Sequence, residues 1–265
     1  MIYVTGDTHG NFHRLSTKCF PQQKELTRDD YLIVCGDFGG VWNYNGETSQ
    51  ERHNLQRISD KPFTTLFVDG NHENFDRLTH DYPIVSFHGG KAHRIRDNIY
   101  HLMRGYVFHI DGKKIFTFGG AASHDIKDGI LDPANYPTFK DLNRSYATYY
   151  MAGLQVRVKG ISWWSQELPA WHERQRGLKN LAAVNNDVDI VISHCLPYSV
   201  ERLLYRDCTP NRLTSYFDNL LECGLSFRRW YCGHYHMDRS LNDQYQILYH
   251  SIVQIDSSLH GTGGS

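Results

Sequence analysis

Ile2-Tyr3-Val4-Thr5-Gly6-Asp7-Thr8-His9-Gly10 opens the chain with a short apolar run, then a glycine, then two side chains of metal-binding chemistry. The same order returns along the sequence. Tyr31 to Cys35 leads into Gly36-Asp37-Phe38-Gly39-Gly40, and Thr64 to Val68 leads through Asp69 into Gly70-Asn71-His72-Glu73. Val188 to Ser193 leads into His194, and Arg229 to Cys232 leads into Gly233-His234-Tyr235-His236. Near-continuous apolar runs of this length suit strands buried on both faces. The carboxyl ends of such strands form the ligand crevice of an open α/β sheet, so the groups that follow them can converge. A glycine just before the functional residue permits a sharp turn and a close backbone approach.

Working outward, Lys114 to Phe118 reads as a further strand, and Gln244 to Ile255 as a late one. Amphipathic stretches lie between the strands. Phe12, Leu15 and Cys19 share one helical face, as do Leu55 and Ile58, then Phe217, Leu220 and Leu221 before Gly224. Alternating strands and helices predict an α/β protein with layered sheets. No linker divides the chain and no period repeats, so a single domain over 1–256 is expected, followed by a small, polar, flexible tail over 257–265. Near 125–160 the sequence is least core-like and reads as an inserted helical segment. There Thr138 and Asp141 have capping-box spacing, and Phe139, Leu142, Tyr146 and Tyr149 follow helical spacing up to Gly153. The tyrosine-rich face of that helix is expected to pack.

Composition narrows the function classes. Of 265 residues 40% are hydrophobic and 22% charged, which excludes a largely disordered chain. A formal net charge of -1 provides no global field toward nucleic acid or an anionic membrane, although a local basic groove stays open. The 6 cysteines form no C-x-x-C pair and read as reduced core residues. Neither a signal peptide nor an apolar run long enough to span a bilayer is evident, so a cytoplasmic protein is expected.

The residues at the strand ends form a coherent set. Asp7 and His9 are two apart, as are His234 and His236, a spacing that aims both side chains one way in extended backbone. Together with Asp37, Asn71 and His194 they offer two carboxylates, one amide oxygen and four imidazoles, with no thiolate. Such mixed oxygen and nitrogen donors suit borderline divalent ions such as Mn, Fe, Zn, Co or Ni. The set exceeds the needs of one tetrahedral ion and suits two ions sharing a carboxylate. Two divalent ions with Asp7 and Asp37 leave a surplus positive charge, which attracts phosphate.

In this order the five blocks resemble those of the calcineurin-like metallophosphoesterases, from Asp7 to His236. The resemblance implies two divalent transition-metal ions, manganese foremost. Asp7, His9 and His236 would hold one ion and Asn71, His194 and His234 the other, with Asp37 bridging. His72 would be the catalytic histidine beside the scissile phosphate, not a ligand. The implied fold is two facing mixed β-sheets flanked by helices, a four-layer sandwich. The implied activity is hydrolysis of phosphate monoesters or diesters by a metal-activated hydroxide. Two alternatives stay open: a nuclease or nucleotide phosphodiesterase acting on short nucleic acid or cyclic nucleotides, and a catalytically silent scaffold. The partner expected is the phosphate-ester substrate, with no membrane and no obligate protein.

The chain departs from the serine/threonine protein phosphatases of that superfamily. Their second block continues into an arginine, where Gly39, Gly40, Val41 and Trp42 follow here, and Asp69 stands where they place an arginine. The stretches 119–125 and 160–167 resemble a bacterial and phage-like subgroup of unassigned substrate. Phe38 and Trp42 are expected to wall the pocket, and Trp163 and Trp164 either to pack or to stack on a base. Arg14, Arg77, Arg174, Arg176 and Arg212 are candidate phosphate anchors, none selected by spacing. His124 reads as a surface or structural residue, with substrate contact as the alternative.

Overall fold

A computed structural model describes residues 1–255. The first half of the chain runs β1 (Ile2–Thr5), β2 (Tyr31–Val34), α1 (Ser49–Ser59), β3 (Thr64–Phe67), α2 (Phe75–His80), β4 (Ile84–Phe87), β5 (Gly90–Arg96), β6 (Ile99–Leu102), β7 (Tyr106–Ile110) and β8 (Lys113–Phe118). Then come β9 (Gly129–Leu131), α3 (Phe139–Met151), β10 (Val156–Val158), α4 (Trp171–Ala182), β11 (Ile190–Ser193), α5 (Tyr198–Glu201), α6 (Thr214–Glu222), β12 (Arg229–Cys232), β13 (Arg239–Ser240), β14 (Tyr245–Ile247) and β15 (Ile252–Gln254).

These strands form two mixed sheets. One has seven strands in the order β15-β1-β2-β3-β6-β5-β4, the other six in the order β13-β14-β12-β11-β8-β7. The central strands of each run parallel, so their carboxyl ends lie along one rim. Side chains alternate across each strand and serve two cores at once. Ile2, Val4, Ile33 and Leu66 face Ile115, Ile190, Ile192 and Tyr231 between the sheets. Leu32, Val34 and Phe67 point outward to Leu15, Leu55 and Ile58. On the opposite outer face Phe116, Phe118 and Trp230 meet Leu181, Phe217 and Leu220. The result is the expected four-layer arrangement of helices over two facing sheets.

Several local expectations change. The late stretch Gln244 to Ile255 is two strands, β14 in the second sheet and β15 in the first, so the chain crosses between sheets there. At the crossing the Asp238 carboxylate accepts the N–H groups of Tyr249, His250 and Ser251, holding a bend that has neither glycine nor proline. Phe12 precedes, and Leu15 ends, a short 3-10 turn at His13–Leu15 rather than a helix, and Cys19 is exposed. Cys223 is exposed too, so the cysteines are free but not all in the core; Cys35, Cys195 and Cys232 are.

Between 125 and 160 the chain forms α3 beside a small parallel pair, β9 with β10. Thr138 caps α3, its side chain accepting from the Asp141 N–H. Leu142 is the buried residue of this helix, while Phe139, Tyr146 and Tyr149 are exposed. That face is therefore mostly exposed; Leu142 packs on Leu131 and Val158 of the small sheet, and Phe139 stacks on Tyr44 with ring centroids 5.9 Å apart. The tail over 257–265 lies outside the described residues. Among the described residues no helix is long and apolar enough to cross a membrane.

Candidate metal centre

All five sequence blocks emerge at the rim where the two sheets meet. Asp7 follows β1, Asp37 follows β2, Asn71 follows β3, His194 follows β11, and His234 and His236 follow β12. Asp7, Asp37, Asn71 and His194 are buried. His9, Asp37, His234 and His236 have φ of 45°, 48°, 67° and 49°, in the left-handed region that non-glycine residues rarely enter. Backbone strain of this kind costs of order 1–3 kcal/mol per residue and collects at functional sites. Two glycines owe their place to the carboxylates: a Cβ on Gly233 would lie 2.0 Å from Asp7 Oδ1, and one on Gly70 would lie 2.0 Å from Asp37 Oδ1.

Two groups of donor atoms each fall within 4.8 Å of one another: Asp7, His9 and His236, and Asp7, Asp37 and His194. His236 Nε2 is 3.3 Å from Asp7 Oδ2, and His9 Nε2 is 3.7 Å from Asp37 Oδ2 and 3.1 Å from His236 Nε2. His194 Nε2 is 3.4 Å from Asp37 Oδ2. Asp7 is the carboxylate common to both groups, and Asp37, in the second, approaches the first through His9. His234 stands beside His194, with ring centroids 5.0 Å apart, and its N–H donates to Asp7 Oδ1 at 3.0 Å. The His72 N–H donates to Asp37 Oδ1 at 2.8 Å.

Second partners prepare these side chains as ligands. His194 Nδ1 donates to the Cys35 carbonyl at 2.7 Å, and Nε2 is buried without a hydrogen bond of its own. That is the tautomer a metal-binding histidine needs, fixed by its other nitrogen. Asn71 Nδ2 donates to Ser123 Oγ at 3.4 Å, Ser123 Oγ donates to Glu167 at 2.6 Å, and Asn71 Oδ1 is buried with no partner. A buried acceptor left bare costs about 1–3 kcal/mol, so both atoms call for an electrophile. The residues fit a divalent ion.

The electrostatics agree. Burial pulls His194 down, but Asp37 and Asp7 outweigh it and hold its imidazole up at about 10, so without an ion Nε2 carries a proton toward Asp37, and an ion would take that proton's place. Burial raises Asp37, while His194, His72 and His9 pull it well below the usual carboxylate range. This nest of buried carboxylates favours positive charge. Burial pushes His234 down to about 3 and His72 down to about 4, keeping both imidazoles neutral.

Two cavities flank the centre. One of about 580 Å³ is lined by His234, His236, His124, Lys127, Tyr205 and Asn211 among others. The other, about 340 Å³, includes His9, His72, Trp42, Gln50 and Asn54 in its wall. Phe38 walls neither: it is fully buried and stacks on Phe67, the rings 4.4 Å apart. Trp164 is buried, its Nε1 donating to Asp76, so it packs rather than offering a face to a base.

Four of the five candidate arginine anchors are otherwise engaged, whereas the Nε of Arg174 is buried without a hydrogen-bond partner. Arg14 donates to the Asp7 carbonyl at 2.7 Å and holds the first block from behind. Arg77 pairs with Glu51 and Asp81, Arg176 donates to the Arg104 carbonyl, and Arg212 to the carbonyls of Ser165 and Leu168. Arg157, which spacing did not single out, approaches the site: its Nη2 is 3.3 Å from His72 Nε2. Asp69, at the protein-phosphatase arginine position, turns inward to Arg104 and to His101, which in turn meets His93 at 3.0 Å. No pattern in sequence marks these supports, because each joins segments far apart in the chain.

A family model of calcineurin-like phosphoesterases matches residues 1–238. The chain belongs to the calcineurin-like phosphoesterases. Among named members of the family, it is similar to lariat debranching enzyme A of Xenopus laevis, with 26% identity over 212 residues, 75% of this chain and 33% of that protein. It is also similar to the lariat debranching enzyme of Schizosaccharomyces pombe, at 25% over 194 residues, 67% of this chain and 34% of that one. This calcineurin-like phosphoesterase spans about a third of the length of those relatives.

Proposed function

We propose that this chain hydrolyses phosphodiesters at a dinuclear metal centre. Asp7, His9 and His236 would hold one ion, Asn71, His194 and His234 the other, and Asp37 would bridge. The observation that supports this reading is the convergence of Asp7, His9, Asp37, His194 and His236, together with two bare buried ligand atoms, His194 Nε2 and Asn71 Oδ1. Divalent ions bound there would supply a water of near-neutral pKa and a clamp for phosphate oxygens. The chain's own residues do the rest. Cys35 and Ser123 keep His194 and Asn71 turned to the centre, and the N–H groups of His72 and His234 hold the two carboxylates. His72, which lines the smaller cavity, would act at the ester oxygen that leaves.

A diester is favoured over a monoester because the cavities open on both sides of the ligand set. A monoester fills one side only. The two relatives are named for debranching lariats, and a branch has chain on either side of its linkage. Nucleotides and short nucleic acids are therefore the substrates to try first. Manganese is the first metal to try, then Fe, Zn, Ni and Co, since imidazole-rich sites favour such ions over magnesium. We read 1–256 as one domain and the protein as cytoplasmic.

The test is hydrolysis of bis-p-nitrophenyl phosphate against p-nitrophenyl phosphate after metal stripping and reconstitution. Faster turnover of the diester with Mn, Co or Ni than with Mg supports the reading. Preference for the monoester overturns the substrate class. Bound metal with no turnover of either compound identifies a silent scaffold.

A further inference from the structure

Arg157 lies at the centre of β10, in the segment that neither large sheet includes. It is nearly buried, with 13% of its side chain exposed, and its polar hydrogens are almost all engaged. Nε donates to Asp125 Oδ1 at 2.7 Å, Nη2 donates to Asp125 Oδ2, and Nη1 donates to the Ser162 carbonyl at 2.9 Å. This fork-to-fork pair with Asp125 fixes the guanidinium plane. The remaining direction of Nη2 is toward His72 Nε2, 3.3 Å away.

A guanidinium has donors and no acceptor. In this contact His72 Nε2 must therefore be the acceptor, and the proton of a neutral ring sits on Nδ1. Among the described residues, the ring neighbours of His72 are His9 at 5.3 Å and Trp42 at 5.9 Å between centroids, which limit its tilt without selecting a nitrogen. We infer that Arg157, held by Asp125, is a positioning residue for His72: it fixes the orientation and tautomer of the imidazole and makes the 125–160 segment part of the working site. The inference rests on the functional reading above for what His72 does, and on the Arg157 to His72 contact alone for how it is held. It also gives the segment a reason to lie where it does. Asp125 and Arg157 bracket it at both ends, so their pairing closes it over His72.

Arg157→Gln and Arg157→Lys, alone and in a His72→Ala background, test this in the metal-reconstituted protein. Arg157→Gln is expected to lower kcat on bis-p-nitrophenyl phosphate by about 10- to 100-fold, the scale of a misplaced catalytic group. KM and bound metal should stay near wild type, and Arg157→Lys should recover part of the loss. In the His72→Ala background the same change should have little further effect, because residues acting as a unit are not additive. Imidazole ¹⁵N spectra give a readout besides activity: the wild type should show His72 unprotonated at Nε2, and Arg157→Gln should shift that signal. A wild-type His72 protonated at Nε2, or an undiminished loss without His72, overturns the inference. A wild type with the expected spectrum but no phosphoesterase activity overturns the functional reading instead.

Discussion

At the scale of single residues, the site is built by what stands behind each ligand. Gly233 shows it most simply, since a methyl group there would fall on the Asp7 carboxylate. Gly233→Ala should destabilise the fold by about 1–3 kcal/mol, the usual cost of overpacking, and should lower metal content as well. Denaturant melts and metal analysis of the variant check both; normal stability with full metal content would show that the rim yields. Glu51 makes a second case. It accepts the N–H groups of Trp42, Asn43 and Thr48 and an N–H from Arg77, beneath the smaller cavity. Burial raises its pKa, but those donors outweigh burial and hold it below the usual carboxylate value. A depressed folded pKa means that the stabilisation is complete above the unfolded pKa, about 4.3, and is lost as pH falls through the folded value. The stability gap between wild type and Glu51→Gln should therefore be constant above about pH 5 and shrink below pH 4. An unchanged gap down to pH 3 would contradict the assignment.

At the scale of elements, strands were legible wherever an apolar run was buried on both faces. β1 and β12 fall where the residues place them, and β2, β3, β8 and β11 differ by a residue or two. β4 to β7 were not legible: β4 and β5 lie toward the sheet edge, where Gly90 to Arg96 carries lysine, histidine and arginines, and a histidine interrupts the apolar run in both β6 and β7. The late segment misled for another reason. Its alternation is real, but alternation does not say which sheet a strand joins, and the bend at 248–251 is set by a distant carboxylate. Asp238→Ala leaves the N–H groups of Tyr249, His250 and Ser251, all at the surface, without that acceptor and should cost about 0.5–1.5 kcal/mol. Thermal unfolding measures it, and a loss below about 0.5 kcal/mol would mean that water replaces the carboxylate freely. The ligand types were legible because each follows a strand end. Arg157, Ser123 and Glu167 were not, because their roles depend on loops meeting across the rim.

At the scale of the whole molecule, two sheets bring five strand ends to one rim, and two cavities open on either side of it. A chain of net charge -1 has no global pull on a phosphate, so attraction is local, and the proposed ions would be its main source. The deciding measurement is bound metal per chain in wild type, Asp37→Ala and Asn71→Ala after reconstitution with manganese. A dinuclear centre bridged by Asp37 predicts two ions in the wild type, reduced occupancy of both in Asp37→Ala, and loss of one in Asn71→Ala. A wild type that never exceeds one ion, or an Asp37→Ala protein that keeps two, would contradict it.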